Sequence, residues 1–233
     1  MGTLAFVCAM PLEMRPLAKR LGLEKRKVDG VQLRRGALDG RPVVGFVTGI
    51  GPALATEGID QLLAAVQPDR VVVFGITGAL EDDTPIGAVV MPARVIDHAT
   101  GRTHEHHPPG GDATAGALWT TNIMTPATDL PALIEKGVIA LDMETAAYAR
   151  SCERDGIPWS VHRAVSDRAT DASIDDEVFH LTNQDATPNR GNIARYFLKH
   201  PQRIPAMLKL AKGCKLATEN AADAAIAAAR AAM

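Results

Sequence analysis

Short apolar segments alternate with helix-like segments along most of this chain, and this alternation limits the folds that it can adopt. Leu4–Ala9 predicts a buried strand and Pro11–Leu21 a helix. The same alternation continues to a last predicted strand at Pro158–Val165. Strands that alternate with helices are typical of an α/β fold, in which helices cover a central sheet. At 233 residues with 46% hydrophobic residues, the chain can bury such a core within a single domain, residues 1–233.

The remaining predicted elements follow from the same patterns. The other predicted strands are Val31–Leu38, Val43–Thr48, Val71–Phe74, Ala88–His98, Ala117–Met124 and Val138–Leu141. The other predicted helices are Ala53–Val66, Thr128–Lys136, Glu144–Arg154, Asp175–Thr182, Asn189–Lys199, Pro201–Lys212 and Thr218–Ala232. Asp39-Gly40 predicts a hairpin turn, and the glycines, prolines and histidines of Thr100–Gly116 predict a mobile loop.

Charge and cysteine content limit the partners and the compartment. A formal charge of -2, with lysines and arginines scattered along the sequence, disfavours a nucleic-acid partner. Cys8, Cys152 and Cys214 show no paired spacing, as expected in a reducing compartment. The sequence has no apolar run of about 18 residues or more and no signal-peptide pattern, so we expect a cytoplasmic protein without a membrane partner.

Two predicted strands lead into acidic residues. Asp142-Met143-Glu144 follows one of them, and the strand that contains Arg163 leads into Ser166-Asp167. In open α/β sheets ligands bind beyond the carboxyl ends of strands, so we expect Glu144 and Asp167 to reach one cleft. Two carboxylates in one cleft suggest cleavage of a glycosidic type of bond.

Cleavage of a purine–ribose bond develops positive charge on the sugar and negative charge on the base. Asp167, oriented by Ser166, is predicted to hydrogen-bond or protonate a ring nitrogen of the base. The two oxygens of Glu144 suit the two ribose hydroxyls, and Met143 is predicted to pack on the sugar face.

Glu13 decides which nucleophile we expect. It follows the first strand, where it is predicted to bind and deprotonate a water molecule together with Arg163. Inorganic phosphate is the alternative co-substrate, but an ionised Glu13 would repel a phosphate dianion. We therefore predict hydrolysis, unless Arg15, Lys19 or a neighbouring subunit offsets that repulsion.

Five motifs occur in the order and approximate spacing found in the purine nucleoside phosphorylase/uridine phosphorylase superfamily. They are Cys8-Ala9-Met10-Pro11-Leu12-Glu13, Thr48-Gly49-Ile50-Gly51, Gly75-Ile76-Thr77-Gly78-Ala79-Leu80, Asp142-Met143-Glu144-Thr145-Ala146-Ala147 and Arg163-Ala164-Val165-Ser166-Asp167. Over about three quarters of its length, the chain most resembles methylthioadenosine/adenosylhomocysteine nucleosidases.

This resemblance implies a fold, an assembly and a set of site residues. The fold implied is a three-layer α/β/α sandwich around a mixed, partly barrel-like sheet, and the assembly is a homodimer without metal or organic cofactor. The catalytic residues implied are Glu13, Arg163 and Asp167. The substrate-binding residues are Met143 and Glu144 at the ribose, Ser166 at the purine, and Ile50, Ile76, Thr77 and Gly78 as pocket lining.

Two departures from the nucleosidase pattern leave the substrate open. Ile76 stands where the nucleosidases commonly have a serine, so that contact is lost or supplied by Thr77. The stretch between His98 and Asp142 is also shorter than in those enzymes. Gly75-Ile76-Thr77-Gly78 instead resembles the hopanoid-associated phosphorylases, which are thought to act on an adenosyl group carried by a lipid. A phosphorylase and a catalytically inactive nucleoside-binding protein are the alternatives.

Several of these residues also have ordinary structural interpretations. Glu144 begins a predicted helix, where an acid is favoured electrostatically, and Asp167 is a common type of turn residue. Glu13 is also compatible with an exposed helix position paired with Arg15 or Arg20. His104, His106 and His107 have metal-ligand spacing, but their Gly/Pro-rich loop and the lack of a nearby cysteine favour a mobile lid.

Overall fold

A mixed β-sheet lies at the centre of the computed structural model, which describes residues 2–106, 108–109, 115–123, 125–170 and 189–232. Within these residues, eleven strands belong to the sheet. They are β1 Leu4–Cys8, β2 Glu24–Val28, β3 Val31–Leu38, β4 Arg41–Val47, β5 Arg70–Ala79, β6 Val89–Val90, β7 Arg94–Asp97, β8 Thr103–Glu105, β9 Ala117–Thr120, β10 Val138–Asp142 and β11 Trp159–Arg168.

Helices cover both faces of this sheet. They are α1 Pro11–Arg20, α2 Pro52–Val66, α3 Leu130–Glu135, α4 Thr145–Arg154, α5 Arg190–Lys199 and α6 Ile204–Ala231, with a 3-10 turn at Pro201–Arg203. Buried side chains of α2 and α4 form one hydrophobic cluster with the sheet. Those of α1 and α6 form a second cluster with the sheet. This arrangement confirms the predicted three-layer α/β/α fold.

The central strands are buried on both faces, and their sequences show why. In β5, Val71 and Val73 belong to the cluster under α2 and α4, whereas Val72 and Phe74 belong to the cluster under α1 and α6. Alternate side chains of a strand point to opposite faces, so only a continuous apolar run can fill both layers.

Strand β5 brings the ends of several strands together. It runs parallel to β1 through residues 70–73 and parallel to β11 along most of its length. Its last two residues, Gly78 and Ala79, pair antiparallel with β10. The ends of β1 and β10 and the second half of β11 therefore lie around residues 75–78 of β5.

Several strand predictions were wrong. Strand β5 continues past the predicted end at Phe74, because β11 pairs with it throughout this part and β10 pairs with Gly78 and Ala79. The predicted strand Ala88–His98 is divided into β6 and β7, with Pro92 between them. Strand β2 was not predicted because its sequence, Glu-Lys-Arg-Lys-Val, has no apolar alternation; it is an exposed edge strand paired with β3.

The predicted mobile loop Thr100–Gly116 contains ordered structure. Strand β8 pairs antiparallel with β7, and this pairing buries His104. The predicted helices at residues 201–212 and 218–232 are largely one helix, α6, which begins at Ile204 and passes through Gly213 without a break. The predicted helix Asp175–Thr182 lies outside the described residues. Among the described helices, none is long and apolar enough to cross a membrane.

Helix α6 approaches the end of β11 most closely at Gly213. A Cβ atom at this position would overlap the carbonyl oxygen of Ser166 and lie 3.2 Å from Ile86 Cγ2. Alanine normally stabilises a helix relative to glycine by about 1 kcal/mol. Here the added methyl group meets backbone, and overpacking of that kind costs about 1–3 kcal/mol.

We therefore expect Gly213→Ala to lower the free energy of unfolding, by about 1 kcal/mol in net terms, in urea denaturation. Gly191→Ala in α5 is the matched control, since among the described residues its Cβ would meet only Asn189 Oδ1, at an ordinary contact distance of 3.6 Å. The control should be neutral or slightly stabilising. Equal free energies of unfolding for the two variants would mean that a methyl group at position 213 fits between α6 and β11 without strain.

Candidate active site

Arg163, on β11, is buried at the centre of a group of carboxylates. Its Nη2 donates hydrogen bonds to Asp142 Oδ2 and, at 2.7 Å, to Thr145 Oγ1. Its Nη1 donates to the carbonyl oxygen of Ile76 at 3.4 Å and lies 3.9 Å from Glu13 Oε1. Burial alone would lower the pKa of Arg163, but the carboxylates around it, Asp142 first, raise it above its ordinary value. The guanidinium therefore stays charged.

Asp142, the last residue of β10, is the main partner of Arg163 and was not predicted from the sequence to have a role. Besides Arg163, it accepts hydrogen bonds from Thr120 Oγ1 at 2.6 Å and from the backbone N–H of Thr145 at 3.1 Å. The available signal was its position beside Met143-Glu144 at a strand end. Asp142 holds Arg163 in place while its own oxygens are saturated.

Glu13 is buried at the first turn of α1. Its Oε2 accepts hydrogen bonds from the backbone N–H groups of Ala9 at 3.0 Å and Met10 at 2.8 Å. Its Oε1 accepts one from Ile76 N at 2.8 Å, so the side chain joins α1 to β5. Burial raises the pKa of Glu13, and Arg163 and the three N–H donors oppose that rise. The alternative of an exposed Glu13 is wrong.

The contact between Glu13 and Arg163 requires a glycine on β5. Gly75 has φ +153°, and a Cβ atom there would overlap both Glu13 Oε1 and Arg163 Nη1. Only glycine leaves room for the carboxylate and the guanidinium to approach the strand backbone.

Glu144 lies between the end of β10 and the start of α4. Its Oε1 accepts a 2.7 Å hydrogen bond from the backbone N–H of Gly51, in the loop before α2. Burial and the nearby charge of Asp142 raise the pKa of Glu144 to about 8, although Arg163 and the Gly51 N–H act in the opposite direction. Glu144 is thus mostly protonated at neutral pH in the absence of a ligand.

A second contact fixes the same loop to α4. Tyr148, one turn after Glu144, is buried, and its hydroxyl lies 2.7 Å from Thr48 Oγ1. Burial and the charge of Glu144 raise the pKa of Tyr148, so the phenol remains protonated. The role of Tyr148 could have been suspected only from its helical spacing to Glu144.

Ser166 and Asp167 lie at a bulge in the pairing of β11 with β5. The register changes between Val165, opposite Thr77, and Asp167, opposite Gly78. Bulges re-aim side chains at strand ends. Ser166 Oγ donates to Asp167 Oδ1 and lies 3.3 Å from the carbonyl oxygen of Thr77. A Cβ atom at Gly78 would be 3.4 Å from Asp167 Oδ2, which places Gly78 against this carboxylate.

The other predicted pocket residues lie around these groups. Thr77 donates its hydroxyl hydrogen to the carbonyl oxygen of Leu141 at 2.7 Å, so it is not free to donate in place of the missing serine. Ile76 contributes its backbone groups to Glu13 and Arg163. Ile50 and Met143 are partly exposed beside Gly51 and Glu144, respectively.

Helix α6 forms one wall of a cavity of about 260 Å³ beside Asp167. Burial, together with the charges of Asp167 and Glu13, raises the pKa of Cys214 on α6 to about 12, so both carboxylates act on this one thiol. The cavity-lining residues are Ile86, Ser166, Asp167, Lys209, Leu210, Lys212, Gly213 and Leu216. No motif in the sequence identified the contribution of α6.

The histidines of the predicted lid are placed away from these groups. His104 is buried, and its Nδ1 lies 2.8 Å from Glu153 Oε2. His106 and His162 are also buried, and burial together with His106 lowers the pKa of His162 to about 4. His107 lies outside the described residues. Within the described part of the chain, no group of three or more His, Cys, Asp or Glu side chains could hold a metal ion.

The fold and these contacts define an α/β protein with a carboxylate-rich site at the strand ends. The family model of the phosphorylase superfamily matches residues 3–140. A 5′-methylthioadenosine/S-adenosylhomocysteine nucleosidase from Chromohalobacter salexigens is 30% identical over 201 residues, covering 72% of this chain and 86% of the relative. The chain belongs to the phosphorylase superfamily, which confirms the family predicted from the motifs.

A further relative agrees with this assignment, and solved structures share the fold. The nucleosidase of the same name from Bacillus cereus is 27% identical over 219 residues, covering 77% of this chain and 95% of the relative. A mutant nucleosidase from Helicobacter pylori, solved with 5′-methylthioadenosine in its active site, has a TM-score of 0.74 at 14% identity and 99% coverage of both chains. Futalosine hydrolase from the same organism has a TM-score of 0.71 at 14% identity, with 97% of both chains covered.

The raised pKa of Glu144 predicts a specific pH dependence of stability. The folded chain keeps a proton on Glu144 that the unfolded chain releases between its ordinary value of 4.5 and about 8. Stability from this group is therefore lost as pH rises through that window. Glu144→Gln can still accept the Gly51 hydrogen bond but does not titrate. Its free energy of unfolding should therefore increase relative to that of the wild type as pH rises.

Urea unfolding at pH 5 and pH 8 measures this gain. We expect the stability of Glu144→Gln relative to wild type to increase by about 1 kcal/mol or more between the two pH values, the equivalent of a shift of about one pKa unit. Glu57→Gln, on the exposed side of α2, should show no such increase. A gain that does not depend on pH would refute the raised pKa of Glu144.

Proposed function

We propose that this chain is an enzyme that hydrolyses the N-glycosidic bond of a purine nucleoside, of the methylthioadenosine/adenosylhomocysteine type, to the free base and the ribosyl product. The observation that carries the proposal is the buried Glu13 carboxylate, held by three backbone N–H groups beside Arg163. The names of the relatives that match most of the chain agree with it.

Glu13 is the general base in this proposal. A general base works best when its pKa is raised toward the working pH, and burial has this effect on Glu13. Arg163 binds the attacking water or the Glu13 carboxylate. In the described part of the chain, the buried Nε of Arg163 has no hydrogen-bond partner, so a donor remains for a small ligand.

Glu144 anchors the ribose, and its environment suits the charge that develops there. Its carboxyl group accepts hydrogen bonds from the two ribose hydroxyls, with Met143 on the sugar face. The sugar becomes positively charged as the bond breaks, which favours the ionised form of Glu144. Burial disfavours the ionised carboxylate of Glu144 when no substrate is bound. Beside the positively charged sugar this form is favoured, and its charge then stabilises the transition state.

Asp167 is the general acid toward the purine. Ser166 donates a hydrogen bond to Asp167 Oδ1 and so fixes the orientation of the carboxyl group. The adjacent cavity gives the base a place beside Asp167 and Gly78. Ile50, Ile76 and the β5 backbone complete the pocket. The reaction as proposed uses no metal or organic cofactor, and the assembly is a homodimer.

Water is favoured over phosphate as the nucleophile for two reasons. Phosphate sites in proteins rely on free N–H groups and uncommitted cationic side chains. Here Nη2 of Arg163 is bonded to Asp142, and the N–H groups after β1 are bonded to Glu13. An ionised carboxylate at that position would also repel phosphate.

The test is chromatographic detection of free base from methylthioadenosine, adenosylhomocysteine, adenosine and inosine. Each nucleoside is incubated with the purified chain in phosphate-free buffer containing EDTA, and separately with added phosphate. We expect base release from the methylthioadenosine-type nucleosides without phosphate. Release that depends on phosphate would make the chain a phosphorylase, and calorimetric binding without release would make it a nucleoside-binding protein.

The role of Asp167 is tested by Asp167→Asn. This change keeps the shape of the side chain but removes the acid, so turnover should fall by about 100-fold or more, the usual contribution of a positioned general acid. Substrate binding and the melting temperature should change little. Asp83→Asn, at an exposed position, is the matched control and should retain full turnover. Near-normal turnover of Asp167→Asn would remove Asp167 from the mechanism.

A further inference from the structure

One segment of the chain has a charge opposite to that of the whole. Residues 189–218 contain seven lysines and arginines and no aspartate or glutamate, in a protein with a formal charge of -2. The seven are Arg190, Arg195, Lys199, Arg203, Lys209, Lys212 and Lys215. Seven of the 25 lysines and arginines of the chain therefore lie in α5, the 3-10 turn and the first part of α6, without an acidic residue between them.

Large aliphatic side chains are exposed among these cations. Leu198 is 84% exposed, Leu208 59%, Leu216 47% and Ile204 39%. We call the set that consists of these four residues and the exposed Lys199, Lys209, Lys212 and Lys215 the basic apolar surface. Contact of these apolar side chains with water is unfavourable, and exposed apolar patches mark binding surfaces.

The helical geometry of α6 places four of these residues on one side. Ile204, Leu208, Lys212 and Lys215 follow each other at spacings of four, four and three residues, which keeps them on one stripe of the helix. Gly213, between the last two in sequence, is buried on the opposite side against Ser166. The outward side of α6 therefore presents two aliphatic side chains followed by two lysines, with Gly213 packed on its inner side.

We propose that the basic apolar surface docks this protein on the surface of an anionic lipid bilayer. Helices that lie in a membrane interface combine leucines, which enter the acyl region, with lysines, whose ammonium groups remain at the phosphates. Clustered lysines are attracted to anionic lipids over about a Debye length. The proposal departs from the expectation, based on overall composition, that the chain has no membrane partner; docking of this kind requires no membrane-spanning helix.

Charge and side-chain type favour a bilayer over other partners. Two copies joined through this surface by a two-fold axis would bring like charges together. Nucleic acid would neutralise the lysines but leave the aliphatic side chains in water. A bilayer with anionic headgroups satisfies both features at once. Lys209, Lys212 and Leu216 also line the cavity beside Asp167, so docking would hold the candidate site close to the headgroups.

Sedimentation with lipid vesicles tests the proposal without any nucleoside, so its outcome is independent of the proposed catalysis. The full chain is mixed with vesicles of phosphatidylcholine alone or with roughly 30% phosphatidylglycerol, at roughly 0.1 M salt, near the conditions where surface charge is only partly screened. We expect binding to the anionic vesicles, little binding to the neutral ones, and weaker binding as salt increases.

Two double charge-reversal variants distinguish binding through this surface from a general effect of net charge. Lys212→Glu with Lys215→Glu should weaken binding by at least about tenfold, on a scale of about fivefold per lysine near an anionic membrane. Lys25→Glu with Lys27→Glu, on the exposed strand β2, makes the same change of net charge elsewhere. This second pair should not weaken binding. Circular dichroism confirms that each pair folds.

Leu208→Ser tests the apolar contribution and should weaken binding while leaving its salt dependence intact. No binding to anionic vesicles, or equal loss in both lysine pairs, would overturn the proposal. Binding to single-stranded RNA or DNA that is stronger than binding to vesicles and is unaffected by Leu208→Ser would assign the surface to nucleic acid instead.

Discussion

A single buried guanidinium surrounded by carboxylates is the interaction on which the candidate site depends. Arg163 contacts Asp142 directly, lies near Glu13, and acts electrostatically on Glu144. One positive charge cannot neutralise three buried negative charges, so part of this group must remain protonated. Burial and the charge of Asp142 raise the pKa of Glu144, which favours a proton on this residue. All carboxyl groups of the site are thus ionised together only beside a further cation, such as a ribosyl group that is losing its base.

The backbone of β5 makes this arrangement possible. Residues 75–78 supply a glycine where Glu13 and Arg163 approach, an N–H for Glu13, a side chain that links to β10, and a glycine beside Asp167. Each of these four functions belongs to a different residue of a strand that is paired on both edges. Rigid pairing keeps the groups at fixed distances, and preorganised groups of this kind stabilise charge without reorganisation. The same pairing explains why the strand contains glycines that sequence patterns associate with turns.

Local patterns predicted the layers of the fold and the residues at the strand ends, because both depend on short-range apolar periodicity. The contacts that decide the chemistry are long-range: Asp142 to Arg163, Glu144 to Gly51, and Tyr148 to Thr48. Nothing in the local sequence of Asp142 distinguishes a saturated structural carboxylate from a functional one such as Glu144. Strand β2 could not be predicted because its stability comes from pairing with β3 rather than from burial.

Helix α6 connects two surfaces of opposite character. Its inner side meets Ser166 at Gly213 and places Cys214 near Asp167, whereas its outer side presents the basic apolar surface. Because Gly213 is already in tight contact with the backbone of β11, the helix cannot move toward the sheet without displacing the residues that orient Asp167. Binding at the outer leucines and lysines would therefore act on the same helix that lines the cavity beside Asp167. In the proposed reaction, the placement of the purine is the step that such binding would affect most directly.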